Sequence, residues 1–114
     1  MFRFEELEIW KKGINTLDKL LNIAERLEQR NLYRFAEQLR GASLSIVNNT
    51  AEGSGCDSKT EFKKFLNYSR RSTYEVVAML MVFKRRGYLK EGEDKIISEL
   101  EELSKMIAGF KRSL

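Results

Sequence analysis

Ser45–Gly55 reads SIVNNTAEGSG, and the fold turns on whether this stretch ends a packed helix or forms a glycine-rich loop around a phosphate. A phosphate loop of the GxxxxGK[ST] kind follows a strand and places lysine directly after its last glycine. Here Gly55 precedes Cys56, and the residues upstream have helical periodicity. The better reading makes Gly53 or Gly55 a helix terminator, since glycine accepts the left-handed conformation that closes a helix. Ser58 then reads as the N-cap of the next helix, with Glu61 three residues on completing a capping box.

Both flanks of the stretch support that choice. Upstream, Leu32, Ala36, Leu39, Ser43, Ile46, Thr50 and Gly53 advance by threes and fours along one helical face, and downstream Phe62, Leu66, Ser69, Thr73, Val76, Leu80 and Phe83 do the same. The pattern recurs at the start of the chain in Leu7, Trp10, Ile14, Leu17, Leu21 and Ala24, and at its end in Ile96, Leu100, Leu103, Ile107, Phe110 and Leu114. Proline is absent, which leaves long segments free to be helical. The connections Gln29–Asn31, Gly53–Asp57 and Gly87–Gly92 are short, so successive helices should run antiparallel. The expected fold is all-α, an up-and-down four-helix bundle over residues 1–114 as one domain.

The second and third helices carry more apolar surface than one seam needs: Phe35, Ala42 and Val47 in one, Phe65, Tyr68, Met79 and Met81 in the other. A helix apolar around much of its circumference asks for burial on two sides, which predicts self-association. A broad core stripe with a few exposed apolar residues is the alternative.

Apolar residues make up 42% and charged residues 33% of the 114-residue chain, a balance that suits a water-soluble domain. No apolar run approaches the roughly 20 residues of a spanning helix, and the opening MFRFEELEIW has acids where a signal peptide has its apolar core. A cytoplasmic location without membrane contact is expected. The lone Cys56 has no partner for a disulfide, and with no histidine in the chain it has no companion base. No metal-ligand cluster or nucleophile beside a base is visible either, so neither an enzyme nor a cofactor is expected.

Charge suggests a polyanionic partner. There are 21 basic and 17 acidic side chains, and Lys59, Lys63, Lys64, Arg70, Arg71, Lys84, Arg85 and Arg86 collect on the third helix. At about 100° per residue, Lys59, Lys63 and Arg70 share a narrow sector, with Lys64 and Arg71 further round. These five, with Arg40 on the second helix, are the candidate contacts to RNA or DNA, which would be salt-sensitive and blind to sequence. Solvated helix faces are the competing reading. Tyr68 and Tyr74 flank the cations, and at helical spacing they read as packing rather than as base platforms.

The polar residues Asn48, Asn49, Thr50 and Glu52 in the last turns of an apolar helix carry a resemblance. SIVNNTAEGSG is similar to the S-I-x-x-N-I-A-E-G-x-G signature of the four-helix-bundle proteins of 23S rRNA intervening sequences, a fold shared by the accessory variability determinant of diversity-generating retroelements. Ser45, Ile46, Asn49, Ala51, Glu52, Gly53 and Gly55 match, while Thr50 replaces the usual isoleucine. Phe4, Leu7 and Trp10 resemble the family's F-x-x-L-x-x-W, and Gln38, Leu39, Arg40 and Ala42 its Q-L-R-x-A. Ser58, Glu61, Phe62, Phe65, Leu66, Ser72 and Glu75 resemble its S-x-x-E-F-x-x-F-L and S-x-x-E elements, and Gly87-Tyr88-Leu89 its third loop. Cys56 and Gly41 stand where the family commonly has arginine.

The resemblance implies a homopentameric barrel of four-helix bundles. In the retroelement branch it also implies binding to a reverse transcriptase and to nucleic acid through a basic exterior, and in the free-standing branch it implies no particular activity. Ser45, Asn49, Glu52, Gly53, Gly55 and Glu75 are taken as structural, with Glu52 and Glu75 expected to pair with Arg40 or to hydrogen-bond Asn49.

Overall fold

All seven residues of the third stripe, Phe62 through Phe83, are buried in the computed structural model, which describes residues 1–114. They lie on a helix that spans Lys59–Arg85 and follows α1 (Glu8–Gln29) and α2 (Tyr33–Ser54), so it is α3; α4 is Lys95–Ser113. A short 3-10 turn, Arg3–Glu6, precedes α1, and the chain has no strand. The molecule measures 43 × 21 × 21 Å, and the 27 residues of α3 span nearly all of the long axis at 1.5 Å per residue. Contacts link α1 to α2, α2 to α3, α3 to α4 and α4 back to α1, which closes the bundle around one core.

The register of α1 differs from the sequence reading. Its buried residues are Ile9, Gly13, Thr16, Leu17, Leu20, Ile23, Ala24 and Leu27, whereas Leu7, Trp10, Ile14 and Leu21 are only half-buried. Two neighbouring apolar rows both satisfy the three-four spacing. The inner one runs through Gly13, where an added Cβ would lie 3.0 Å from Val47 Cγ1, so a residue without a side chain stands at a close approach of α1 to α2. Trp10 packs instead on Phe4 of the N-terminal turn, ring centroids 4.8 Å apart.

Helix ends follow simple chemistry. The Ser58 hydroxyl accepts from the Glu61 amide at 3.1 Å and caps α3 as expected, while the Glu61 side chain does not return the bond that would complete the capping box. The two glycines of the central stretch differ in role. Gly53 lies buried inside α2, and Gly55 closes the helix at φ −88°, a right-handed conformation open to any residue. A Cβ on Gly53 would stand 2.8 Å from Phe65 Cβ and 2.9 Å from Phe62 Cδ1, so Gly53 is small because α3 crosses there; of the two candidate terminators Gly55 ends the helix, without the left-handed conformation expected of it. Left-handed closure occurs elsewhere, at Asn31 (φ 64°) and Gly87 (φ 75°). In each case the next amide reaches back to the helix, Leu32 N–H to Leu27 O at 2.9 Å and Tyr88 N–H to Phe83 O at 2.8 Å.

The surplus apolar residues are largely absorbed within the chain's own fold. Ala42 and Val47 are buried, and Phe35 meets Phe83 edge-on at 5.7 Å between centroids. Met79 packs on the core margin, while Phe65 and Tyr68 are half-buried against each other at 5.8 Å. Only Met81 of the seven is exposed, joined on the surface by Leu44, Tyr74 and Val82.

Candidate nucleic-acid interface

The signature residues form a hydroxyl-rich seam between α2 and α3. Ser45 Oγ and Ser72 Oγ are 2.8 Å apart, and the Asn49 amide donates to both the carbonyl (2.9 Å) and the hydroxyl (2.8 Å) of Ser45. One turn on, Ser69 donates to Ile46 O at 2.6 Å and lies 3.0 Å from the buried Thr50 hydroxyl. Thr50, where the resemblance has isoleucine, thus places its hydroxyl beside a polar partner on the facing helix, so burying it costs little.

Glu52 and Glu75 do not join this seam. Both are exposed and neither side chain forms an ion pair or hydrogen bond. The expected pairing with Arg40 or Asn49 is therefore replaced by a different arrangement: Arg40 pairs with Glu37 at 2.7 Å and with Glu28 across the α1–α2 connection. The hydrogen bonds that Arg40 donates to Glu28, then to Glu37, hold its proton even more firmly than usual. The structure places Arg40 among these carboxylates and apart from the cations of α3. Glu75 lines a shallow pit of about 490 Å³ with Ser45, Asn49, Tyr68, Arg71 and Ser72.

On the α1–α4 side, charges neutralise each other: Lys12 pairs with Glu102 at 3.4 Å and Lys19 with Glu99 at 2.5 Å. Toward the loop, Lys84 pairs with Asp94 at 3.0 Å. On α3 the cations Lys59, Lys63, Lys64, Arg70 and Arg71 have no acidic partner within ion-pair distance. Exposure suits them to outside contact, since Lys59, Lys64 and Arg71 are exposed while Lys63 and Arg70 are half-buried. Lys64 sits over the Tyr68 ring at 6.0 Å.

Two residues that the linear reading passed over complete the patch. Lys111 and Arg112, in the last turn of α4, line a groove of about 270 Å³ with Lys63, Arg70 and Ala108. Cations are favoured at a helix C-terminus, a signal the acid-rich first half of α4 obscured. Lys63, Arg70, Lys111 and Arg112 thereby converge from two helices on one concave surface, and none has a counter-ion.

Cys56 is chemically quiet. Burial pushes its thiol up, and the Glu61 carboxylate beside it pushes the same way, so at neutral pH the sulfur stays protonated rather than forming the reactive thiolate. No group of three or more His, Cys, Asp or Glu side chains is placed to hold a metal ion. No helix is long and apolar enough to cross a membrane.

No curated protein sequence matches the chain. The family model of the 23S rRNA-intervening sequence protein matches residues 5–109, a span that takes in the seam, the cations of α3 and most of α4. With four helices packed as that resemblance implies, the chain belongs to the 23S rRNA-intervening sequence protein family.

Proposed function

We propose that the chain is a non-catalytic, homo-oligomeric adaptor that binds nucleic acid, or a nucleic-acid enzyme such as a reverse transcriptase, through the basic face of α3 and the end of α4. The observation that carries this reading is the unpaired state of Lys59, Lys63, Lys64, Arg70 and Arg71, joined by Lys111 and Arg112, while Lys11, Lys12, Lys19, Lys84 and Lys105 are each matched by an acid. An unneutralised cationic face attracts phosphates by counter-ion release, without base specificity. In this reading the helices alternate in direction, the subunits form the pentameric barrel of the accessory variability determinant, and the protein works in the cytoplasm. Oligomerisation would repeat the basic face around the ring, multiplying a formal charge of +4 per subunit.

Capture of the tagged protein from its native cell, with and without nuclease, tests the reading. Nucleic acid should copurify and be lost on nuclease treatment. A nuclease-resistant protein partner with no nucleic acid would instead support a structural or regulatory oligomer. That second reading is favoured by the exposed apolar residues Leu44, Tyr74, Met81 and Val82.

A further inference from the structure

Tyr74 reads as packing in the sequence, yet the residue is 62% exposed. Its ring lies under the Arg70 guanidinium, 5.7 Å from the centroid, and remains open to solvent. Arg70 is in turn held by its Nε, which donates to Ser104 Oγ at 3.1 Å. Both Nη groups are left free, so the guanidinium is oriented by neutral partners and retains its whole charge for an outside anion. Three concavities meet at Arg70, one of them a groove of about 380 Å³ that runs past Tyr74, Val77 and Met81 to Glu101, and the other two carry the cations. One, about 410 Å³, is lined by Asn67, Arg70, Arg71 and Tyr74. The other is the cationic groove of Lys63, Arg70, Lys111 and Arg112, with Ala108 as its only uncharged lining residue.

We propose that the two grooves form one binding site for single-stranded nucleic acid, in which a base stacks on Tyr74 beside Asn67 and the adjoining phosphates lie against Lys63, Arg70, Lys111 and Arg112. An exposed aromatic face next to a cationic track is the arrangement that single strands use, because their bases are free to stack. A duplex keeps its bases inside and gains only from the cations. The amide of Asn67 offers both a donor and an acceptor to whichever base is stacked. This site rests on the reading of the α3–α4 face as a nucleic-acid surface, and it adds the form of nucleic acid and the residue that selects it.

The test is a titration of the intact oligomer with labelled oligothymidylate, oligouridylate and a duplex of equal length, at several salt concentrations. Tyr74→Ala should weaken single-strand binding by about fivefold or more, the worth of one base–aromatic stack, and leave duplex binding, melting temperature and assembly mass unchanged. Tyr74→Phe should restore the single-strand affinity. The double variant Lys111→Gln/Arg112→Gln should lower the salt slope by about 0.7 for each single-strand phosphate that is no longer neutralised. If Tyr74→Ala binds single strands as tightly as the parent, or the parent prefers duplex, the site is wrong while the adaptor reading stands. Dissociation of the oligomer on Tyr74→Ala would assign Tyr74 to a subunit interface and overturn the site. Absence of salt-dependent binding to every probe overturns both the site and the adaptor reading.

Discussion

Gly53 allows α2 to approach α3 until Phe65 and Phe62 fill the space a side chain would need. Gly53→Ala must push a Cβ against Phe65 Cβ at 2.8 Å, a backbone-proximal atom that cannot swing aside. Overpacking of this kind costs about 1 to 3 kcal/mol, to be read as a lower urea midpoint, while Gly55→Ala, at an ordinary right-handed φ, should be far milder. The seam gives a second contrast. Asn49 donates twice to Ser45 in a half-buried setting, so Asn49→Ala should lower stability by about 1 kcal/mol. Glu52 is exposed and unbonded, and Glu52→Ala should change stability by less than about 0.5 kcal/mol. A large destabilisation by Glu52→Ala together with a neutral Asn49→Ala would contradict these assignments.

Among the elements, the α3–α4 connection is fastened by ionic contacts. The Arg26 guanidinium reaches Glu93 at 2.8 Å and the Tyr88 carbonyl at 3.2 Å, and the Lys90 amide donates to Glu93 at 2.6 Å. Burial alone would raise the Glu93 carboxyl, but the Arg26 and Lys90 hydrogen bonds outweigh it and hold the group below its ordinary 4.5. A lowered folded-state value means that the stabilisation is fully present above pH 4.5 and is lost as pH falls through the lowered value. Glu93→Gln should therefore lower the melting temperature at neutral pH and flatten its acid decline, as thermal melts from about pH 3 to 7 would show. A parallel acid limb in both proteins would refute this role for Glu93.

The stripes of α2, α3 and α4 were legible because their apolar and small residues fall in a single row, and Ser58 because its cap is local chemistry. The register of α1 was not, since Gly13 and Thr16 do not look apolar and are buried only by the packing of α1, with Val47 against Gly13. The same holds for Gly53, whose neighbours lie on another helix. At the candidate interface the α3 cations were readable from spacing. The convergence of Lys111 and Arg112 on Lys63 and Arg70 depends on how α4 lies along α3, and the diversion of Arg40 to Glu28 and Glu37 depends on the α1–α2 turn.

For the whole molecule, the apolar surplus that motivates self-association shrinks once Phe35, Ala42 and Val47 are packed internally, leaving Tyr33, Leu44, Tyr74, Met81 and Val82 outside on α2 and α3, with Met1 and Phe2 before α1. Light scattering on the eluting protein should still give a mass several times that of one subunit, and a single-subunit mass at micromolar concentration would remove the oligomeric part of the proposal. The charge asymmetry does not shrink: acids match Lys12 and Lys19 on the α1–α4 side and leave Lys59, Lys63, Lys64, Arg70 and Arg71 of α3 unmatched. That asymmetry is the central claim, and the salt dependence of nucleic-acid binding reads it most directly. Log affinity for duplex DNA plotted against log salt should fall steeply for the parent, and Lys59→Gln/Lys63→Gln/Arg70→Gln should flatten the slope by about 0.9 for each phosphate that the variant no longer neutralises, with helicity and oligomer mass retained. A parent that shows no salt-dependent binding, or a triple variant with the parent's slope and affinity, would contradict it.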